Sequence, residues 1–183
     1  TGNLDTTWGK NGRCYLSEDE IDCRLGIVAD GRGYVYTGCS LSFDDEATSI
    51  VRHRPDGGSD GVVAKIPCWV ITKTEDEAVY NWVGDFAVDS AGNLYVFDGE
   101  KVYRLMPDSK EDAAWKGIEA GRPSDPRKPS ASMTMGKNDR IYLFSPNGDS
   151  VTEYDLDGNR VAQMDVGEPV IASSVEAIGP DGF

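Results

Sequence analysis

Three runs of consecutive carboxylates, Glu18-Asp19-Glu20, Asp44-Asp45-Glu46 and Glu75-Asp76-Glu77, are the densest chemistry in this sequence of 183 residues. Carboxylate oxygens are hard ligands, so clusters of them suit Ca²⁺ or a basic partner. No D-x-[DN]-x-[DN]-G series with a distal glutamate occurs, however, so no calcium loop is spelled out. Asp155, Asp157 and Gly158 in "DLDGN" copy part of such a loop and read as a plain turn. The single histidine, His53, lies between Arg52 and Arg54 at an expected strand end, which reads as an exposed surface position. No Ser/His/Asp or Cys/His constellation is present to support nucleophilic catalysis. Four cysteines (Cys14, Cys23, Cys39, Cys68) without a CxxC pair, beside one histidine, do not make a zinc site.

Charge and hydropathy bound the partners. A formal net charge of -14 repels phosphate backbones and excludes nucleic acid as an expected partner. No stretch of eighteen apolar residues occurs, so no helical membrane span is expected. An apolar fraction of 39% is enough for a core, and 21 Gly with 9 Pro scattered between short apolar runs point to many turns.

The elements that position these groups follow from internal repetition. "GIVADGRGYVYT" (26 to 37), "FAVDSAGNLYVF" (86 to 97) and "MTMGKNDRIYLF" (133 to 144) align without gaps, and "EAIGPDGF" (176 to 183) begins a fourth copy. Downstream of each full copy stands a second shared run: "SIVRHRPDG" (49 to 57), "KVYRLMPDS" (101 to 109) and "SVTEYDLDG" (150 to 158). "CYLSEDE" (14 to 20) also resembles "CWVITKTEDE" (68 to 77), which gives Cys14 and Cys68 equivalent places on outer strands.

Runs of four to six apolar and β-branched residues bounded by Gly, Asp, Asn, Ser and Pro are strand signals, and DGRG, SAGN and KND are hairpin turns. "KEDAAWKGIEAG" (110 to 121) has helix-friendly composition but contains Gly117 and Gly121, and it reads as loop plus outer strand. The expected fold class is all-β: a β-propeller-type repeat of four-stranded antiparallel blades. Its units span approximately 24–72, 83–125 and 130–169, with a partial unit at 170–183. Tyr34, Tyr36, Tyr95, Phe97, Tyr142 and Phe144 recur in the second strand of each unit as core.

In such a blade the loops entering each innermost strand share one face with the turns between second and third strands. That face collects Glu18, Asp19, Glu20, Asp44, Asp45, Glu46, Glu75, Asp76 and Glu77, with Asp98 and Glu100 nearby. It is the expected binding surface. If residues 30–33 form a hairpin turn, Cys23 and Cys39 fall across from one another on neighbouring strands, a plausible disulfide pair.

"FAVDSAGNLYVFDGEKVYRLMPDS" (86 to 109) resembles an NHL-type propeller repeat in its apolar pair, Asp, small turn, aromatic strand and Pro-Asp ending. "NLDTTWGKNGRCYL" (3 to 16) is similar to the opening of another bacterial propeller repeat, through Leu4, Asp5, Trp8, Gly9 and Gly12. About three units are fewer than a closed ring needs. A longer polypeptide, a second copy or open stacking would supply the rest.

The resemblance implies the fold; the lack of a catalytic constellation and the single histidine in the sequence suit a non-enzymatic module, expected to be extracellular and to need no cofactor, that presents a rigid surface to a protein, a glycan or copies of itself. A subunit of an extracellular fibre is one version of this. Resemblance to calcium-dependent propeller lactonases implies the alternative, a Ca²⁺ site drawn from Glu20, Asn81, Asp85 or Asp139.

Overall fold

The computed structural model describes residues 26–39, 47–67, 69–73, 78–81, 84–121, 132–145 and 149–166. Its described residues are all-β, in three four-stranded antiparallel sheets and one two-stranded sheet. The first sheet contains β1 (Ile27–Ala29), β2 (Val35–Cys39), β3 (Ala47–His53) and β4 (Ser59–Pro67) in that order. A short hairpin of β5 (Trp69–Lys73) and β6 (Ala78–Asn81) follows, an element that the repeat does not announce. The second sheet is β7 (Asp85–Val88), β8 (Leu94–Phe97), β9 (Lys101–Leu105) and β10 (Ile118–Glu119). The third is β11 (Met133–Gly136), β12 (Arg140–Phe144), β13 (Ser150–Tyr154) and β14 (Arg160–Asp165). Each sheet runs up and down without a crossover, and β7 touches β1 on one side and β11 on the other. This is the blade arrangement of a β-propeller-type fold.

One turn design recurs and explains the strand spacing. In the turn after β1, Asp30 N donates to Tyr34 O and Gly33 N to Asp30 O; Asp89 with Asn93, and Gly92 with Asp89, repeat the pattern after β7. The turns after β3, β9 and β13 use the same two bonds, at Arg54/Gly58, Met106/Lys110 and Asp155/Asn159. The fourth residue of this turn takes a positive φ, which glycine provides at Gly33, Gly57, Gly92 and Gly158. Ser109 occupies that place in the fifth turn, with φ 65. "DLDGN" is therefore such a turn: Asp155 Oδ1 accepts from Asp157 N and Asn159 N.

The turns also correct the gapless alignment of the first two units. Asp30 matches Asp89, so Tyr36 is equivalent to Tyr95 and not to Val96. Tyr36 pairs with Arg52 across β2 and β3, as Tyr95 pairs with Arg104 and Tyr142 with Glu153. A slip of one residue in a strand sends every side chain to the opposite face, so the correction decides which residues meet the next sheet.

Two apolar layers fill the spaces between sheets. Tyr36, Ile50, Ile66, Phe86, Val88, Leu94, Val96 and Leu105 pack between the first and second. Ala87, Tyr95, Phe97, Val102, Ile118, Met133, Ile141 and Leu143 pack between the second and third. All four residues of β8 are buried, because neighbours cover both of its faces. A fully buried large side chain of this kind contributes about 1.5–3 kcal/mol. Residues 110–121 form a turn and the two-residue β10, as loop plus strand.

Candidate functional site

Of the two proposed carboxylate ligands among the described residues, Asp85 and Asp139, Asp85 is the more deeply set. It opens β7 at the end of the sheet where the chain enters its innermost strand. Phe86 N donates to its Oδ1 at 2.8 Å, while Ser132 Oγ and Met133 N both donate to its Oδ2 at 2.9 Å. Burial raises its pKa above the ordinary aspartate value, against the pull of these three donors. The group thus joins the innermost strands of two sheets.

Asp139 lies at the other end. It occupies the turn between β11 and β12 with φ 55, and its carboxylate accepts from Ser90 N at 2.9 Å and Ser90 Oγ at 2.5 Å. Ser90 follows Asp89 in the turn that closes β7. The length of β7, roughly 13 Å at about 3.3 Å per residue, therefore separates Asp85 from Asp139. These two do not share a metal site. Asn81 ends β6, and Glu20 is outside the described residues.

The nine acidic loop residues, Glu18, Asp19, Glu20, Asp44, Asp45, Glu46, Glu75, Asp76 and Glu77, also lie outside the described residues. So does Cys23, the expected partner of Cys39; the described pairing of β1 with β2 runs from Ala29↔Val35 to Ile27↔Thr37. Asp98 closes the turn between β8 and β9, accepting at Oδ1 from Glu100 N and Lys101 N. Among the described residues no group of three or more His, Cys, Asp or Glu side chains is arranged to hold a metal.

His53 departs from its expected surface position. It is 2% exposed, and its Nε2 shares a hydrogen bond of 3.1 Å with Thr37 Oγ1 on β2. Strand alternation is the reason: Arg52 faces the second sheet, so the next residue of β3 points to the opposite face.

The feature that residue chemistry alone did not single out is a repeated guanidinium tie. Arg52 pairs with Asp60 at 2.9 Å, and its NH1 donates at 2.6 Å to Pro107 O in a turn of the second sheet. Arg104 pairs with Asp112, and its NH1 donates at 3.1 Å to Leu156 O in the matching turn of the third sheet. Each guanidinium also stacks on an aromatic ring, Arg52 on Tyr34 and Arg104 on Trp115. The signal was present in the second shared run, where Arg52, Arg104 and Glu153 align.

Comparison with known proteins adds only the overall likeness. No family description and no curated protein matches the sequence. Among solved structures, the chain is similar to a streptogramin B lyase, with 17% identity, TM-score 0.47, and coverage of 84% of this chain and 43% of the other. It is similar also to the calcium-binding protein regucalcin from Agrobacterium tumefaciens, with 15% identity, TM-score 0.48, and coverage of 79% and 45%. A catalytically inactive virginiamycin B lyase from Staphylococcus aureus, solved with quinupristin, gives 12% identity, TM-score 0.47, and coverage of 85% and 44%. The chain spans less than half the length of each of these proteins.

Proposed function

We propose that the chain is a non-enzymatic, NHL-like β-propeller repeat module that works outside the cell as a rigid surface for a protein or glycan. The observation that supports this reading is the pair of guanidinium ties, Arg52 to Pro107 O and Arg104 to Leu156 O, which link successive sheets at equivalent points. Sheets fixed to one another hold their connecting loops at constant spacing, which is what a multi-loop binding surface requires. The acidic runs at 18–20, 44–46 and 75–77 are the proposed contact residues, and they suit a partner with basic groups. The Ca²⁺ reading loses support because Asp85 and Asp139 belong to opposite ends of the sheets.

The test uses the full chain and a variant in which these nine acidic residues become amides. Both are passed over an immobilised glycan panel and over immobilised oligolysine, with far-UV circular dichroism to establish that both remain folded. Retention of the wild type on either support, lost in the folded variant, is the expected result. Equal retention of the two, or none of either, overturns the proposal.

A further inference from the structure

Among the described residues, the Tyr36 hydroxyl is the one buried side-chain polar atom without a hydrogen-bond partner. Tyr36 lines a narrow crevice between the first and second sheets, together with Arg52, Leu94, Leu105, Met106 and Ser109. The crevice has no room for a free water molecule, so the common remedy for a buried hydroxyl is closed. Arg52 brings only donors, and its Nε and NH1 already serve Asp60 Oδ2 and Pro107 O. The site lacks an acceptor oxygen.

Met106 brings a sulfur to the same crevice from the solvent side. It is 38% exposed and opens the turn after β9, where its N donates to Lys110 O at 2.8 Å. It directly precedes Pro107, whose carbonyl receives Arg52. A thioether sulfur is a weak acceptor, whereas oxidation makes this side chain polar and gives it an oxygen. Met164 is as exposed, at 37%, but it lines a groove with Val151, Glu153, Ala162 and Gln163, where no unpartnered hydroxyl stands among the described residues.

We propose that Met106 is an oxidation site whose sulfoxide oxygen accepts a hydrogen bond from the Tyr36 hydroxyl. A peroxide supplies the oxygen: its O–O bond breaks as a sulfur lone pair forms the S–O bond, sulfur loses two electrons, and hydrogen peroxide leaves as water. An oxygen bonded to sulfur needs less space than a free water, which is why the crevice takes the first and not the second. The modification adds a polar contact between the first and second sheets beside the Arg52 tie. It does not depend on the acidic loops, so its failure leaves the surface-presenting role untouched.

The test treats the full chain carrying Met164→Leu with dilute hydrogen peroxide and locates the sulfoxide by peptide mass spectrometry. Met106 is expected to oxidise well before Met133, which is 2% exposed. Urea unfolding is then measured before and after oxidation, with and without Tyr36→Phe, and circular dichroism establishes that each variant is folded. Oxidation should lower the folding equilibrium constant by about fivefold more when Tyr36→Phe is present, and Met106→Leu should abolish that difference. Met106 reacting no faster than Met133 overturns the proposal. Oxidation that costs the same with and without Tyr36→Phe also overturns it, as does a difference that persists in Met106→Leu.

Discussion

The two interfaces between sheets use equivalent residues and satisfy them differently. Between the second and third sheets, the Tyr95 hydroxyl donates to Asp89 Oδ2 at 3.2 Å. Between the first and second, Tyr36 is buried to 1% exposure and its hydroxyl has no hydrogen-bond partner among the described residues. The cause lies in the preceding turn. Asp30, the counterpart of Asp89, has its Oδ2 taken by two guanidinium donors, Arg32 Nε at 3.0 Å and NH2 at 2.7 Å, whereas Asp89 Oδ2 accepts one amide donor, Asn93 Nδ2 at 2.7 Å, beside the Tyr95 hydroxyl, and the residue in Arg32's relative position is Ala91. Arg32 turns instead across Gly92 of the second sheet, where an added Cβ would lie 1.6 Å from NH2. One sequence repeat thus produces two contacts of the same shape and unequal polar satisfaction.

The ties differ in the same way. If Arg52 is removed, Asp60 keeps a second cation, Arg54 NH1 at 3.0 Å. Among the ion pairs of the described residues, Asp112 has only Arg104. Arg104→Ala should therefore lower stability more than Arg52→Ala in urea unfolding, because the first leaves Asp112 without its cation while Asp60 keeps Arg54. Equal losses would show that Arg54 does not substitute for Arg52.

Smaller effects follow from the tyrosines. Tyr95→Phe should lower stability by about 1 kcal/mol through the bond lost to Asp89, while Tyr36→Phe should be neutral or stabilising. A double loss, read from the same denaturation curves, would reveal a partner for Tyr36. Ser109→Gly relieves a positive φ and should gain about 0.5–1 kcal/mol, measured as a rise in melting temperature.

The smallest effect is a pH dependence. Asp85 has a raised pKa in the folded state, so its contribution is fully present below the ordinary aspartate value and is lost as pH rises through the folded value. Relative to Asp85→Asn, the wild type should gain stability as pH falls from about 7 toward about 4. A difference independent of pH would show that Asp85 does not titrate abnormally.

Much of the architecture was legible because sheets advertise themselves by alternation and turns by their small residues. The three full copies, the absence of helix among the described residues at 110–121 and the aromatic second strands all follow from those signals. The one-residue slip between the first two copies did not show, because Ala and Val match at several offsets while the fixed point is Asp30 with its turn bonds. His53 was misplaced for a related reason. Its charged neighbours suggest a surface, but alternation gives adjacent residues opposite faces. Of the proposed ligands, Asp85 and Asp139 were identifiable as carboxylates, yet their separation depends on which end of a strand each occupies. That becomes visible only when the hairpins are closed. The guanidinium ties were legible as an aligned arginine, though their carbonyl acceptors carry no side-chain signature.

The central claim is that successive sheets face one another through the series Tyr36, Tyr95, Tyr142, fixed by register. Nuclear Overhauser contacts in the full chain test it most directly. The Tyr36 ring should contact Leu94 and Leu105 of the second sheet, and the Trp115 indole N–H should lie beside the backbone of Leu156. Contacts placing Val35 and Thr37 against the second sheet, with Tyr36 turned to the opposite face, would contradict it.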